Sequence, residues 1–217
     1  MIAISLEGNI GAGKTFLLNH LKKYLNIPNL VFVDEPVTQW GKYRESSGET
    51  ILTQFYEDKQ RWSFTFQWVC MVTRHMAMKE AVDKDEKMIT FQERSVGADA
   101  HVFAQQLHDN GCMTDTEWAI YSEWYDRLAD VLNAKSQYMV YLQVSPETCL
   151  ERIRMRGRKG EEAIDMEYLR QLHQKHEEWM LKNAKPVLIL HEGGSLDDFT
   201  CSIRDFILEQ QRGEESL

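Results

Sequence analysis

The sequence has 217 residues, 43% of them hydrophobic, which suits one compact domain and leaves no room for a second large one. Its formal net charge of -9 argues against a protein that binds nucleic acid over a broad basic surface, because phosphate affinity comes from Lys and Arg. The four cysteines are widely separated and form no C-x-x-C pair, which predicts reduced thiols. The sequence shows no leader pattern and no apolar run long enough to span a membrane, so we expect a cytoplasmic protein without a membrane partner.

Five short apolar runs alternate with helical patterns along the chain. Each run has the length of a β-strand and is followed by turn or helix-start residues. This alternation predicts a doubly wound α/β fold, in which helices cover both faces of a five-stranded parallel sheet and the crossovers are right-handed. The predicted strands are Ile2–Leu6, Leu30–Val33, Met88–Phe91, Tyr138–Val144 and Val187–Leu190.

Two longer helical patterns, Gln60–Val82 and Thr116–Ala134, interrupt the alternation and carry aromatic residues at helical spacing. We interpret these aromatic stripes first as core or dimer packing and only second as ligand contacts. Residues 41–49 and 83–87 are predicted to be polar connections. The final segment, 209–217, is predicted to be a disordered tail.

The segment GNIGAGKT lies between the first predicted strand and a helical run, and it has the pattern of a phosphate-binding P-loop. Its glycines let backbone N–H groups turn toward phosphate oxygens, Lys14 reaches the β- and γ-phosphates, and Thr15 offers a hydroxyl to Mg²⁺. The alternative, a glycine-rich turn with an exposed lysine, leaves the strand–loop–helix context unexplained. The residues assigned to the donor phosphates are Gly8, Asn9, Ile10, Gly11, Ala12, Gly13, Lys14 and Thr15.

An acidic pair, Asp34 and Glu35, follows the second predicted strand, and Pro36 fixes where that strand ends. Ligands of open α/β sheets bind beyond the carboxyl ends of the strands, so a carboxylate here faces the P-loop. Such a group can accept the proton of a hydroxyl that attacks the γ-phosphate. We assign this role to Glu35 rather than Asp34; a solvated strand end is the alternative.

The third predicted strand is followed by Glu93-Arg94-Ser95. In the same cleft, Glu93 can hold the metal and Arg94 can neutralise charge on the transferring phosphate. The alternative interpretation is a surface ion pair.

A basic segment, ERIRMRGRKGEE, follows the fourth predicted strand of this otherwise acidic chain. Helical spacing places Arg152 and Arg156 on one face, with Arg158 just beyond a predicted helix end at Gly157. Residues 152–164 therefore suit a lid that closes over a triphosphate and excludes water, although a solvated basic helix face is the ordinary explanation of such a run.

Six motifs stand in register along the chain: GNIGAGKT, DEPV, RWSFTFQ, ERSVGAD, RIRMRGRKGEE and EYLRQLHQKHEEW. Only the P-loop is specific by itself, but in this order the motifs resemble the deoxyribonucleoside kinase family from about residue 2 to 182, and most of all its deoxycytidine and deoxyguanosine branch. The resemblance implies that Glu35 is the base for the 5′-hydroxyl, with Arg94 beside the same oxygen. It also implies that lid arginines hold the donor phosphates, namely Arg152, Arg156 and Arg158.

The resemblance further implies a sugar and base pocket. Tyr56 and Glu161 match the pair that holds the 3′-hydroxyl, and Gln67 matches the residue that bonds the base edge, although the aromatic segment around it would otherwise be interpreted as packing. Arg74 and Asp99 match a charged pair that the thymidine-accepting branch lacks. The matching aromatic walls are Trp40, Phe66 and Phe103.

Some positions differ from the family pattern. Its usual Asp-Arg-Tyr is Asp99-Ala100-His101 here, Gly97 replaces a tyrosine, and Asp165 stands where a proline often follows the lid. We also assign Asp198 and Phe199, in the last helical pattern, to the donor nucleotide site.

These patterns together predict a single kinase domain over residues 1–208, using Mg²⁺ and ATP or another triphosphate to phosphorylate a deoxynucleoside, and forming a homodimer. One rival is a nucleoside monophosphate kinase of the thymidylate type, but Glu35 would repel an acceptor phosphate. A second rival is a regulatory P-loop switch, but the sequence has no Asn/Thr-Lys-x-Asp motif for reading guanine.

Overall fold

The structure is a computed structural model that describes residues 2–82, 88–131, 137–182 and 185–215. Its five strands form one parallel sheet in the order β2-β3-β1-β4-β5, which confirms the predicted α/β class. Strand β1 is therefore central, with β3 and the edge strand β2 on one side of it and β4 and the edge strand β5 on the other. The strands are β1 (Ile2–Glu7), β2 (Leu30–Val33), β3 (Ile89–Glu93), β4 (Tyr138–Gln143) and β5 (Val187–His191).

Helices fill the connections between the strands. Among the described residues, none of them has both the length and the apolar character required to cross a membrane. They are α1 (Lys14–Tyr24), α2 (Val37–Trp40), α3 (Ile51–Glu57), α4 (Lys59–Val82), α5 (Val96–Ala98), a π-helix (Asp99–Ala104), α6 (Gln105–Asp109), α7 (Asp115–Val131), α8 (Pro146–Arg156), a 3₁₀ turn (Glu161–Ala163), α9 (Met166–Lys182) and α10 (Leu196–Glu215).

Both long helical patterns form helices, as α4 and α7, while the connection 83–87 and residues 132–134 lie outside the described residues. The predicted tail is corrected over residues 209–215, because helix α10 continues to Glu215. Glu and Gln are good helix formers, so the polar end of an amphipathic helix resembles a tail when judged by composition alone.

The sheet is covered on both faces, as a parallel sheet requires. On one face, Met78 of α4 packs with Ala3 of β1, and Met180 of α9 packs with Met139 of β4. On the other face, α10 reaches Tyr138, the residue before Met139, and contacts α1. Successive β4 side chains therefore point to opposite helical layers.

Helix α8 ends where the sequence predicts. Ser145 caps its first turn by accepting a hydrogen bond from the Thr148 N–H, and Pro146 occupies the first helical turn. Gly157 ends the helix in left-handed backbone at a φ of 58°. The basic lid segment continues beyond this helix end, at the side of the sheet where β4 leads into α8.

Candidate active site

A cavity of about 730 Å³ opens at the carboxyl ends of β1, β2 and β3, between the P-loop, helix α4 and the lid segment. All residues assigned to the acceptor line it: Glu35, Trp40, Tyr56, Phe66, Gln67, Arg74, Arg94, Asp99, Phe103 and Glu161. Most residues assigned to the donor phosphates line it too: Ile10, Gly11, Gly13, Lys14, Thr15, Arg152, Arg156 and Arg158. One cavity thus contains both halves of the predicted site.

The P-loop turns through left-handed backbone at Gly11, which has a φ of 79°. A Cβ atom on Gly11 would also lie 2.4 Å from the Cys149 carbonyl oxygen, so the turn accepts only glycine. Asn9 fastens the loop, because its Nδ2 donates to the Leu169 carbonyl oxygen over 2.9 Å. Helix α9 therefore holds the loop in place beside the cavity.

Lys14 is buried at the start of helix α1. Its Nζ donates to the carbonyl oxygens of Gly8 and Asn9 over 2.9 and 2.8 Å. Burial lowers the pKa of the Lys14 ammonium group to about 7, with Arg94 adding to the effect and Glu35 opposing it. The ammonium form of Lys14 is therefore less favoured than that of a lysine in water.

Thr15 and Glu93 meet between helix α1 and strand β3. The Thr15 Oγ1 donates to Glu93 Oε1 over 2.7 Å. Hydroxyl, carboxylate and phosphate oxygens are the hard ligands that Mg²⁺ prefers, so the two residues predicted to hold a metal fit that ion. In the described part of the chain, no cluster of three or more His, Cys, Asp or Glu side chains forms a metal cage of its own.

Two arginines bind one oxygen of Glu35. Arg94 Nε and Arg74 Nη2 each donate to Glu35 Oε1 over 3.1 Å. Burial raises the pKa of the Glu35 carboxyl, but Arg94, Arg74 and Lys14 outweigh it and lower the pKa to about 2. Glu35 is therefore an anion at neutral pH, and no hydrogen bond joins its Oε2 to another described residue.

Arg74 links Glu35 to the far end of the cavity. Its Nε donates to Asp99 Oδ2 over 2.7 Å, and its Nη1 donates to the Glu93 carbonyl oxygen over 3.1 Å. Arg74 and Asp99 are both 3% exposed, so this is a buried pair. Removing either partner would leave an uncompensated buried charge.

Aromatic rings surround the cavity beside that pair. Phe66 packs edge-on against Trp40 at 5.4 Å and is stacked with Phe55 at 4.7 Å between ring centroids. Gln67 is 2% exposed, and its Oε1 has no hydrogen-bond partner among the described residues. A buried amide oxygen without a partner, beside aromatic rings, can accept a hydrogen bond from a flat polar ligand.

The lid arginines converge on one acid. Arg156 Nη2 donates to Glu161 Oε2 over 2.7 Å, and Arg158 Nη1 donates to Glu161 Oε1 over 3.2 Å. Arg152 Nη1 donates to the carbonyl oxygen of Ala12 in the P-loop over 2.7 Å. Glu161 is only 3% exposed, so these contacts bring the lid down onto the cavity.

Residues that the sequence left unassigned also line the cavity, among them Phe55 and Tyr168. The Lys59 ammonium lies 3.6 Å from the Tyr168 ring centroid, joining helices α4 and α9. In the sequence, Phe55 and Tyr168 differ from their neighbours only in being aromatic. Aromatic residues that merely pack in the core look the same, so the sequence could not assign these two to the cavity. A Cβ on Gly97 would lie 2.9 Å from Trp179, so an indole occupies the space beside the glycine that replaces the family's tyrosine.

The structure does not bring Asp198 and Phe199 to the cavity lining. The Asp198 carboxylate accepts a hydrogen bond from Ser195 Oγ over 2.7 Å at the start of helix α10. Phe199 is half-buried and lies against Gly194. Their assignment to the donor nucleotide stays a prediction.

Comparison with known proteins matches this geometry to one family. A family model described as deoxynucleoside kinase covers residues 4–212. The chain belongs to the deoxynucleoside kinase family. This kinase is therefore a phosphotransferase that acts on deoxynucleosides with a nucleoside triphosphate as donor.

Three relatives of this kinase illustrate the match. Human deoxycytidine kinase is 39% identical, over 82% of this chain and 75% of that protein. The probable deoxycytidine kinase of Fowlpox virus is 37% identical, over 95% of this chain and 88% of the viral protein. The mitochondrial deoxyguanosine kinase of Xenopus laevis is 31% identical, over 85% and 75% respectively.

The pKa of Lys14 leads to a prediction for this kinase. Because that pKa is about 7 without phosphates and rises beside them, binding of a non-hydrolysable ATP analogue should take up protons near neutral pH. Affinity should be constant below about pH 7 and fall as pH rises above it. Calorimetry in buffers with different ionisation heats measures the uptake. Lys14→Arg, which keeps its charge throughout, is the control, and equal uptake in both proteins contradicts the prediction.

Proposed function

We propose that this kinase transfers the γ-phosphate of ATP or another nucleoside triphosphate to the 5′-hydroxyl of deoxycytidine or a purine deoxynucleoside, for nucleotide salvage. The observation that carries the proposal is the Glu35 carboxylate, bound through Oε1 by two arginines, in the cavity that Lys14 and the P-loop also line. A base and a phosphate cradle in one cavity suit a hydroxyl attacking a terminal phosphate.

The donor half follows from the P-loop. Backbone N–H groups and Lys14 bind the β- and γ-phosphates, and the lid arginines close over them. Thr15 and Glu93 would hold Mg²⁺, which would neutralise negative charge on the donor phosphates when bound. Arg152 already touches the P-loop at Ala12, so closure needs little movement of this side chain.

In the acceptor half, Glu35 Oε2 receives the proton of the 5′-hydroxyl. The anionic state of Glu35 at neutral pH makes it ready to accept a hydrogen bond from that hydroxyl. Arg94 Nη1 is buried and has no partner in the described part of the chain, so it can donate to an oxygen of the transferring phosphate. The Arg94 guanidinium is held 4.3 Å from the centroid of the Phe103 ring.

Tyr56 and Glu161 would bind the 3′-hydroxyl of the sugar. Burial raises the pKa of the Tyr56 hydroxyl, with Tyr168 and Glu161 adding to the effect, so Tyr56 stays protonated and can donate. Because Arg156 and Arg158 also bind Glu161, the sugar contact and the donor lid share one residue.

The base would lie between the aromatic walls, with Gln67 and the Arg74–Asp99 pair at its polar edge. A carboxylate at that edge can accept a hydrogen bond from the exocyclic amine of cytosine or adenine, whereas thymine offers a carbonyl there. This contrast supports deoxycytidine or a purine deoxynucleoside over thymidine.

A homodimer is supported by exposed apolar residues on two adjacent helices. Met76 of α4 is 45% exposed, and Ile120 and Trp124 of α7 are 41% and 45% exposed. A face of this kind suits association with a second copy. The four cysteines are unpaired, which fits a reducing compartment, and we place the kinase in the cytoplasm on that ground.

Replacing the proposed base tests this function. Glu35→Gln should lower kcat by roughly two to four orders of magnitude, because a positioned base contributes about that much, while nucleoside binding and the fold persist. The matched control is Asp34→Asn, since Asp34 is the neighbouring carboxylate but points to an exposed pair with Lys22. Near-wild-type turnover in the Gln variant, or equal losses in both variants, would contradict the assignment.

The charged pair tests base preference. Arg74→Met with Asp99→Ala should raise the ratio of kcat/KM for thymidine to that for deoxycytidine, because the carboxylate facing the thymine carbonyl is gone. An unpaired buried polar group costs about 1–3 kcal/mol, so the wild type should disfavour thymidine by roughly tenfold to a hundredfold.

Absolute rates should fall in this double variant, because Arg74 also binds Glu35. The quantity to compare is therefore the ratio of kcat/KM for thymidine to kcat/KM for deoxycytidine. Asp109→Ala, which removes a half-exposed surface acid bonded to Lys175, should leave the ratio unchanged. An unchanged ratio in the double variant, or a wild type that prefers thymidine, contradicts the placement of the base.

A further inference from the structure

Arg94 sits in a backbone conformation that arginine rarely adopts. Its φ is 61°, in the left-handed region, and the only other described non-glycine residue with positive φ is Asn29. Such a conformation persists only where its surroundings hold it. The turn occurs where β3 ends, and it determines the direction in which the Arg94 side chain enters the cavity.

Two hydrogen bonds tie this turn to β1. The Arg94 N–H donates to the Leu6 carbonyl oxygen over 3.0 Å, which extends the parallel ladder by one residue. The following N–H, that of Ser95, donates to the carboxylate oxygen Oε1 of Glu7 over 3.0 Å. The Gly8 carbonyl oxygen accepts from Lys14 instead, because the chain there has turned into the P-loop. The Glu7 side chain therefore accepts a hydrogen bond from the turn at the point where the backbone hydrogen bonds between β1 and β3 end.

Glu7 is an unusual residue for this position. It is 0% exposed in the central strand, and no cation forms an ion pair with it among the described residues. Its second oxygen, Oε2, lies within hydrogen-bonding geometry of no donor among the described residues. Burial raises the pKa of this carboxyl, although the nearby Ser95 and Ser5 side chains and the Arg94 charge partly oppose that shift. Burying a carboxyl group costs free energy of folding, so a glutamate at this position suggests that its hydrogen bond to Ser95 serves the function of the protein and not only its packing.

We propose that Glu7 is a positioning residue: by accepting the Ser95 N–H, its Oε1 holds Arg94 in the left-handed turn and directs the guanidinium to Glu35. The inference rests on the proposed role of Arg94 in phosphoryl transfer. The acceptor oxygen, rather than the negative charge, is the property that matters.

Two conservative variants separate the acceptor from the charge. Glu7→Gln keeps an oxygen at the same reach without the charge, and its kcat should stay close to that of the wild type. Glu7→Asp keeps the charge, but its side chain is one methylene group shorter, so the carboxylate oxygens lie farther from the Ser95 N–H. Its kcat should fall by about tenfold to a hundredfold, because a displacement of the Arg94 guanidinium by about 1 Å has an effect of that size. KM for the nucleoside should change little in either variant, because the base and sugar contacts are untouched.

The control for packing is Thr90→Val on β3, a buried residue whose Oγ1 has no partner and which does not bond the turn. Its kcat should match that of the wild type. Thermal unfolding and nucleoside binding, measured on every variant, establish that each protein is folded. A Glu7→Asp protein with wild-type kcat, or a Glu7→Gln protein as slow as Glu7→Asp, overturns the inference.

A double variant shows whether Glu7 acts through Arg94. In an Arg94→Ala background, Glu7→Asp should cause no further loss of kcat, since the side chain that it positions is absent. Additive losses overturn the inference. Arg94→Ala at the wild-type rate contradicts the proposed role of Arg94 in phosphoryl transfer, whereas a slow Arg94→Ala with an unaffected Glu7→Asp contradicts only the role of Glu7. A wild-type protein that transfers no phosphate to any deoxynucleoside contradicts the proposed function itself.

Discussion

One oxygen of Glu35 receives hydrogen bonds from Arg74 and Arg94, and the active site depends on this shared contact. It joins three parts of the chain, because Glu35 follows β2, Arg94 follows β3 and Arg74 lies in helix α4. Burial alone would raise the pKa of the carboxyl, yet the surrounding cations lower it to about 2. The proposed base is therefore kept ionised and oriented, with its second oxygen left for a ligand.

The cavity gathers cations in a chain whose net charge is -9. Lys14, Arg74 and Arg94 are buried there, and the carboxylates of Glu35, Glu93 and Asp99 line the same cavity. Burial is the main reason why the pKa of Lys14 is lowered, and Arg94 adds to it, so the negative charge of a triphosphate would favour the ammonium form. The lid segment adds Arg156 and Arg158, and Glu161 supplies one opposing charge to the pair.

Much of this arrangement could be predicted from local patterns. Apolar runs gave all five strands to within a few residues, and the glycine pattern of the P-loop predicted a strand–loop–helix unit. The meeting of Thr15 with Glu93 followed from the rule that strand ends converge on one edge of the sheet. The pairing of Arg74 with Asp99 came from family resemblance, since the two residues lie far apart in sequence.

Other features depend on tertiary contacts that no local pattern encodes. The bond from Arg74 to Glu35 requires the middle of helix α4 to pass the carboxyl end of β2. Trp179 filling the space at Gly97 joins two distant segments, and Lys59 over Tyr168 does the same. The left-handed turn at Arg94 is invisible in the sequence because arginine does not favour it.

Phosphoryl transfer to a nucleoside hydroxyl can be observed directly by ³¹P NMR with ATP and Mg²⁺. Deoxycytidine, deoxyguanosine, deoxyadenosine, thymidine and deoxycytidine monophosphate would be offered singly at equal concentration, beside a sample without acceptor. A 5′-monophosphate should form from deoxycytidine or a purine deoxynucleoside, with little product from thymidine and none from the monophosphate. Phosphorylation of the monophosphate alone, or ATP hydrolysis that is independent of any acceptor, would contradict the proposed reaction.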